Sequence, residues 1–373
     1  MIFAVISEFN PFHNGHQWLL SQLPKQDGNY TVCIMSGSFV QRGEPAAYDK
    51  WQRAAAAVQG GADLVLELPV PFVLSDGDRF AAKGVELAAA LGQPVTMAFG
   101  TECESLEGLA KLAALPEEAL PIKEFLEQGL SYGAARQAAL EKVFPQEGKL
   151  LLQPNNLLAC GYIRACRQYG LGYLGIQRKV AHDGAPVGNV ASASYIRAHR
   201  ECFSRYCAFP QGGALDVAVA ERGMMTLLKT KTAPQLKNTA NITEGLENRI
   251  LAALYETDGL QALYDHIKTK RYSHAKLRRA VSAAVLGIPA GLPEQPAPYL
   301  RVLAFGERGT TLLRSLRESA TLPLCQNGKE CERANAAFFE VERLATDLRN
   351  CWCERPVSGG EDYRKVAKAL KFE

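Results

Sequence analysis

The run Ile2-Phe3-Ala4-Val5-Ile6 is short, apolar and rich in β-branched residues, the pattern of a buried strand. It leads into Glu8-Phe9-Asn10-Pro11-Phe12-His13-Asn14-Gly15-His16, and then into Gln17-Trp18-Leu19-Leu20-Ser21-Gln22-Leu23, which reads as the first turns of a helix. A strand–loop–helix junction here predicts an α/β sheet with the loop at the carboxyl edge of its strand, where open sheets bind ligands. Pro11 stiffens the loop and removes one amide donor. Gly15 lets the backbone approach a ligand closely. His13 and His16 are spaced to face the same way on a helical first turn. Free amides and the positive end of the helix dipole lie beside them, so the junction reads as a socket for polyphosphate.

The alternation continues. Strands are predicted at Tyr30–Met35, Asp63–Leu68 and Val95–Phe99, with helices over Asp49–Val58 and Arg79–Leu91 between them. This is the pattern of a doubly wound parallel sheet. The loop Ser36–Ala46 falls at the same sheet edge as the histidines. Ser36, Ser38, Gln41 and Arg42 supply donors for an anion or a nucleotide, against the plainer reading of a surface loop. A helical stretch runs from Leu106 to about Val143, and Pro154 opens a helix with Asn155 and Asn156 beside it. Tyr173–Arg178 is a further short strand, followed by a loop with His182-Asp183-Gly184. Ser192 and Ser194 then cap another helix, with Arg197 turned back toward its start.

From about Phe203 helical periodicity dominates. A catalytic α/β domain is therefore expected over residues 1–205 and a mainly helical region over 206–373. Within the latter, Tyr299–Phe305 reads as a short apolar run in a last helical segment. Lys268, Lys270, Arg271, Arg278 and Arg279 cluster around Tyr272. Such a run is either a solvated face or the footprint of RNA backbone contact. The formal net charge of +3 does not decide between them.

Composition sets the remaining bounds. With 47% hydrophobic and 22% charged residues the chain is an ordinary globular protein. There is no apolar run of transmembrane length and no basic leader, so a cytoplasmic protein without a membrane partner is expected. The ten cysteines then read as reduced thiols. Cys325, Cys331, Cys351 and Cys353 lack the paired spacing of a zinc site, and no protein-bound metal is expected.

The His-Asn-Gly-His sequence after a proline loop resembles the HxGH signature of nucleotidylyltransferases and class I aminoacyl-tRNA synthetases. The resemblance implies that His13 and His16 hold ATP phosphates and stabilise departing pyrophosphate. Ser192-Ala193-Ser194-Tyr195-Ile196-Arg197 is similar to the S-x-S/T-x-x-R element that closes on the triphosphate from the other side. More stretches resemble one family within this group, the tRNA(Met) cytidine acetate ligases: Ser36–Ala46, Gly61–Pro69, Gln153–Asn156, Glu244–Ile250 and Lys268–Tyr272.

That family activates acetate with ATP to acetyl-adenylate and passes the acetyl group to the wobble cytidine of elongator tRNA(Met), giving N4-acetylcytidine. The resemblance implies a Rossmann-like nucleotidyltransferase domain, and the chemistry of the triphosphate makes magnesium expected with ATP. The implied ATP-binding residues are Ser7, Glu8, Phe9, Asn10, Pro11, Phe12, His13, Asn14, Gly15, His16, Gln17, Trp18, Leu19 and Leu20, then Gly100, Asn155 or its neighbour Asn156, Arg178, Ser194 and Arg197. With a tRNA substrate, the basic cluster makes Lys268, Lys270, Arg271, Arg278 and Arg279 the expected tRNA contacts. The chain departs from the family where Phe9 replaces a usual tyrosine and Ala4 a glycine, and where Asp78 stands for a glutamate. Two rival readings share the socket: a small-molecule nucleotidylyltransferase of cofactor biosynthesis, and a non-catalytic RNA-binding protein.

Overall fold

In a computed structural model of the chain, which describes residues 1–178, 185–270 and 272–371, the predicted alternation builds a seven-stranded sheet. Its strands are β1 (Ile2–Ser7), β2 (Tyr30–Ser36), β5 (Leu64–Leu68), β6 (Val95–Thr101), β7 (Gly172–Gln177), β8 (Leu300–Phe305) and β9 (Leu324–Cys325). Spatial order is β7-β6-β1-β2-β5-β8-β9. The first five in that order run parallel, and β8 joins β5 antiparallel. A separate hairpin, β3 (Phe39–Val40) with β4 (Glu44–Pro45), rises from the loop after β2. The order reverses between β1 and its neighbours, so the loops after β1, β2 and β6 open into one crevice.

Sequence dictates this because β1, β2 and β5 are nearly all apolar and covered on both faces, as parallel strands require. One apolar layer gathers around Ile34, Leu66, Phe72 and Val85. The opposite layer gathers around Val5, Phe12, Leu20, Trp51 and Ala57.

The expected division at residue 205 is corrected. Residues 300–325 return to the sheet as β8 and β9, so the later part of the chain completes the nucleotide fold. The Tyr299–Phe305 run is not part of a helical segment: Leu300–Phe305 is a strand, and all six of its residues are buried. Arg301 interrupts the apolar run, and periodicity alone does not separate a short buried strand from a helix. Arg301 is tolerated because its Nη1 lies 3.0 Å from Glu67 Oε2 and its Nη2 2.8 Å from Asp362 Oδ1. Lys50 Nζ lies 2.7 Å from Glu67 Oε1 and 2.8 Å from Asp362 Oδ1. This ion cluster fastens the C-terminal residues beneath β5. Among the described residues no helix is long and apolar enough to cross a membrane. The cysteines are free thiols, and no group of three or more His, Cys, Asp or Glu side chains converges to hold a metal among the described residues.

Candidate active site

The loop after β1 holds its shape through an arginine from elsewhere in the fold. Arg53, on the Lys50–Gln59 helix, is fully buried and donates to the carbonyls of Tyr48, Glu8, Ser36 and Gly37. One guanidinium thus ties the loop after β1 to the loop after β2. Burial lowers its pKa to about 10, with Arg349 acting in the same direction. Phe9 takes a left-handed backbone at φ 46. That is unfavourable for a side chain of this size, and it is held by edge-on contacts with Phe12 and His16, each at 4.9 Å between centroids. Gln211 clamps Phe12 by accepting from its amide at 2.9 Å and donating to its carbonyl at 2.7 Å.

The helix Asn14–Ser21 starts at His13, whose ring caps it. His13 Nδ1 accepts from the Gly15 amide at 3.0 Å. The His13 amide donates to His16 Nδ1 at 3.3 Å. The sequence predicted two rings facing one way beside a helix start, and the structure places them so. A cap built from two histidines replaces the usual Ser/Thr with Glu/Gln. Gly15 is required there, since a Cβ would sit 2.9 Å from His13 Cε1.

These residues floor a cleft of about 640 Å3. Ser7, Glu8, Phe9, Asn10, His13, His16 and Leu19 line it. The other residues expected from the same stretch support it from behind: Phe12 and Leu20 lie in the apolar layer, and Asn14 bonds the backbone at Asn189, Arg205 and Ala208. Pro11, Gln17 and Trp18 do not face the cleft either. Ser7 Oγ and Asn10 Nδ2 are buried and find no hydrogen-bond partner among the described residues, which leaves them available to a ligand or water.

Four guanidiniums, those of Arg42, Arg178, Arg197 and Arg278, line the cleft. Ser192 caps the Ala193–Ala198 helix by accepting from the Tyr195 amide. Arg197 Nη1 donates to the Asn10 carbonyl at 2.7 Å, and its Nη2 lies 3.4 Å from Ser194 Oγ. The Ser194–Arg197 element is therefore bonded to the loop after β1. Gly100 leaves room for Arg178, for a Cβ there would come 3.2 Å from Arg178 Cγ. The two asparagines separate. Asn155 lines the cleft and its Oδ1 lies 3.4 Å from Arg178 Nη1, whereas buried Asn156 bonds Thr101, Glu102 and Leu150. Asp78 pairs with Arg164 at 3.2 Å outside the cleft.

The electrostatics suit a polyanion. Burial, then Arg178 and Arg197, lowers His13 to about 3. Burial, then His13 and Arg178, keeps His16 well below its ordinary value. Both rings are neutral at neutral pH. Burial also raises the Glu8 carboxyl, against the pull of Arg42, and its Oε1 accepts from the Gln41 amide at 2.8 Å.

The basic run after Ile267 does not form one face. Lys268 and Lys270 are exposed, and Arg271 lies outside the described residues, as do His182, Asp183 and Gly184. Arg279 is largely buried, and burial, opposed by Asp76, lowers it. Arg278 turns into the cleft, with His274 and Ala275 beside it on the His274–Leu286 helix. Tyr272 is core, its hydroxyl donating to the Thr243 carbonyl at 2.8 Å, and it offers no stacking platform. Sequence reasoning placed this run far from the histidine socket, and it missed His274 as a cleft residue. The signal was faint: Ser273 caps the helix, and His274 and Arg278, four apart, share a face.

A model of the family described as HIGH Nucleotidyl Transferase matches residues 1–361. The tRNA(Met) cytidine acetate ligase of Thermoanaerobacter sp. (strain X514) is 33% identical over 397 residues, covering 97% of this chain and 98% of that protein. The tRNA(Met) cytidine acetate ligase of Limosilactobacillus reuteri is 35% identical over 338 residues, covering 86% and 88%. The crystal structure of Thermotoga maritima TmcAL bound with alpha-thio ATP superposes with a TM-score of 0.86 at 26% identity, over 99% of this chain and 100% of that one. With the HxGH cleft, the bridging arginine and this agreement along nearly its whole length, the chain belongs to the tRNA(Met) cytidine acetate ligase family of HIGH nucleotidyl transferases.

Proposed function

We propose that the chain activates acetate with ATP and transfers the acetyl group to the wobble cytidine of elongator tRNA(Met). The observation that carries this is the cleft in which neutral His13 and His16 face the Ser194–Arg197 element across a ring of guanidiniums. In the first step an acetate oxygen bonds the α-phosphorus and the bond to pyrophosphate breaks, pyrophosphate taking the electron pair. In the second the cytidine N4 attacks the acetyl carbon. AMP leaves with the electron pair, and an N4 proton passes to solvent.

Little covalent work falls to the protein, so position and charge stabilisation supply the rate. His13 and His16 present N–H donors to the β- and γ-phosphates. Arg178, Arg197 and Arg278 neutralise the triphosphate, and Asn155 and Gly100 border the nucleotide. Magnesium would accompany ATP and offset the charge of its phosphates. Exposed Lys268 and Lys270 are suited to the RNA backbone, Arg271 belongs to the same run, and the tRNA substrate places the enzyme in the cytoplasm.

The test is exchange of labelled pyrophosphate into ATP. Exchange that requires acetate supports this reading. Exchange that requires a mononucleotide or phosphopantetheine instead would support a cofactor-forming nucleotidylyltransferase, and none at all a non-catalytic binder.

A further inference from the structure

A smaller cavity of about 260 Å3 adjoins the cleft. The two share Arg197 and Arg278, and the hairpin after β2 divides them. Gln41 and Arg42 face the cleft, whereas Gly43, Glu44 and Pro45 face the smaller cavity. The hairpin is pinned. The Gly43 amide donates to the Val40 carbonyl at 2.9 Å, and buried Ser282 donates to the Gly43 carbonyl at 2.8 Å. Gly43 has φ +81, and a Cβ there would lie 2.5 Å from the backbone of Arg278, so only glycine allows the two to pack. Glu44 is thereby fixed at the cavity rim, its Oε1 4.0 Å from Arg197 Nη2.

The other walls set apolar and aromatic side chains, Met224, Leu260 and Tyr264, beside polar Arg200, Glu221 and Gln261. The Arg278 guanidinium carbon lies 5.9 Å from the Tyr264 ring centroid. A flat ligand with apolar faces and a polar edge fits such walls. Unstacked bases in RNA are read in this way, between aromatic or apolar side chains and along their Watson–Crick edge. A carboxylate accepts from the cytosine amine, and guanidiniums donate to its ring nitrogen and carbonyl. Uracil would set a carbonyl oxygen against the same carboxylate and be repelled.

We propose that this cavity receives the unstacked cytosine of the acceptor RNA, with Glu44 accepting from its exocyclic amine. The assignment rests on the acetyl-transfer reading above. It brings the nucleophilic amine to the wall that the two cavities share, beside Arg197.

The experiment uses the full chain and an anticodon stem-loop with 5-iodocytidine at the wobble position, and a matching 5-iodouridine probe. Irradiation should give adducts on Tyr264 or Met224. Cytidine should be favoured over uridine by about tenfold or more. Glu44→Gln, which can donate as well as accept, should abolish that preference. Adducts confined to residues outside the cavity, or the same preference in both proteins, would overturn the assignment. The adduct map of the unmodified protein stands whether or not the variant folds. Acetate-dependent pyrophosphate exchange is measured on the same preparation. Its absence would remove the adenylation reading itself, while exchange with adducts elsewhere would remove only the cavity.

Discussion

The imidazoles of His13 and His16 stack with centroids 3.7 Å apart and planes 27° apart, and each directs Nδ1 at a backbone N–H. Since Nδ1 accepts in both rings, the single proton of each neutral imidazole sits on Nε2. The pair therefore carries two N–H donors and no net charge. In the proposed adenylation such donors would matter most as pyrophosphate gathers charge.

His16→Ala should lower acetyl-adenylate formation by about a hundredfold or more, the usual effect of losing one preorganised donor. The ATP KM should change less than kcat. Steady-state exchange kinetics check this, and a raised KM with unchanged turnover would make His16 a ground-state contact.

The same pair makes stability depend on acid. A histidine is ordinarily protonated below about 6.5, and the buried His13 resists protonation down to about 3. As pH falls through 6.5 the unfolded chain takes up a proton that the native chain refuses, so stability is lost from 6.5 toward 3 and levels off below. His13→Asn keeps a capping oxygen and removes the titration. Urea midpoints at pH 7 and pH 4.5 should differ less in this variant than in the unmodified protein; an equal or larger difference would contradict the pKa assignment.

The basic run should divide on mutation. Lys268→Ala with Lys270→Ala should leave pyrophosphate exchange intact and weaken tRNA acetylation, with a salt slope shallower by about one per lost phosphate contact. Arg278→Ala should damage exchange as well, because its guanidinium lines the adenylation cleft. Equal effects of the two changes on both half-reactions would remove this division.

Much of this was legible beforehand because it is local. The strand before Glu8, the helix after His13 and the spacing of the two histidines depend on neighbours in sequence, and the family resemblance supplied Asn155, Arg178 and Arg197. What escaped is long-range. Arg53 holds the loop after β1 from the Lys50–Gln59 helix, Gln211 clamps Phe12, and Arg278 comes to the cleft only because Gly43 lets its helix pack on the hairpin. Strand β8 was hidden by Arg301, whose charge makes sense only beside Glu67 and Asp362.

That buried cluster should be costly to break. Burial disfavours the Asp362 carboxylate, but Arg301 and Lys50 outweigh it and hold the group at about 2. The stabilisation is full above the ordinary carboxylate range and is lost as pH falls toward 2. Asp362→Asn should destabilise the fold by about 3 kcal/mol or more at pH 7, since two buried cations lose one of the two carboxylates they share. Denaturant unfolding at pH 7 measures this, and a loss below about 1 kcal/mol would show that the cluster is more hydrated than its burial indicates.

The central claim concerns where the acetyl group goes. Full-length protein is incubated with labelled acetate, ATP and elongator tRNA(Met), and the digested nucleosides are identified by mass spectrometry. Label is expected in N4-acetylcytidine at the wobble position, with AMP and pyrophosphate released in equal amounts. Unlabelled tRNA, or ADP and phosphate in place of AMP and pyrophosphate, would contradict it.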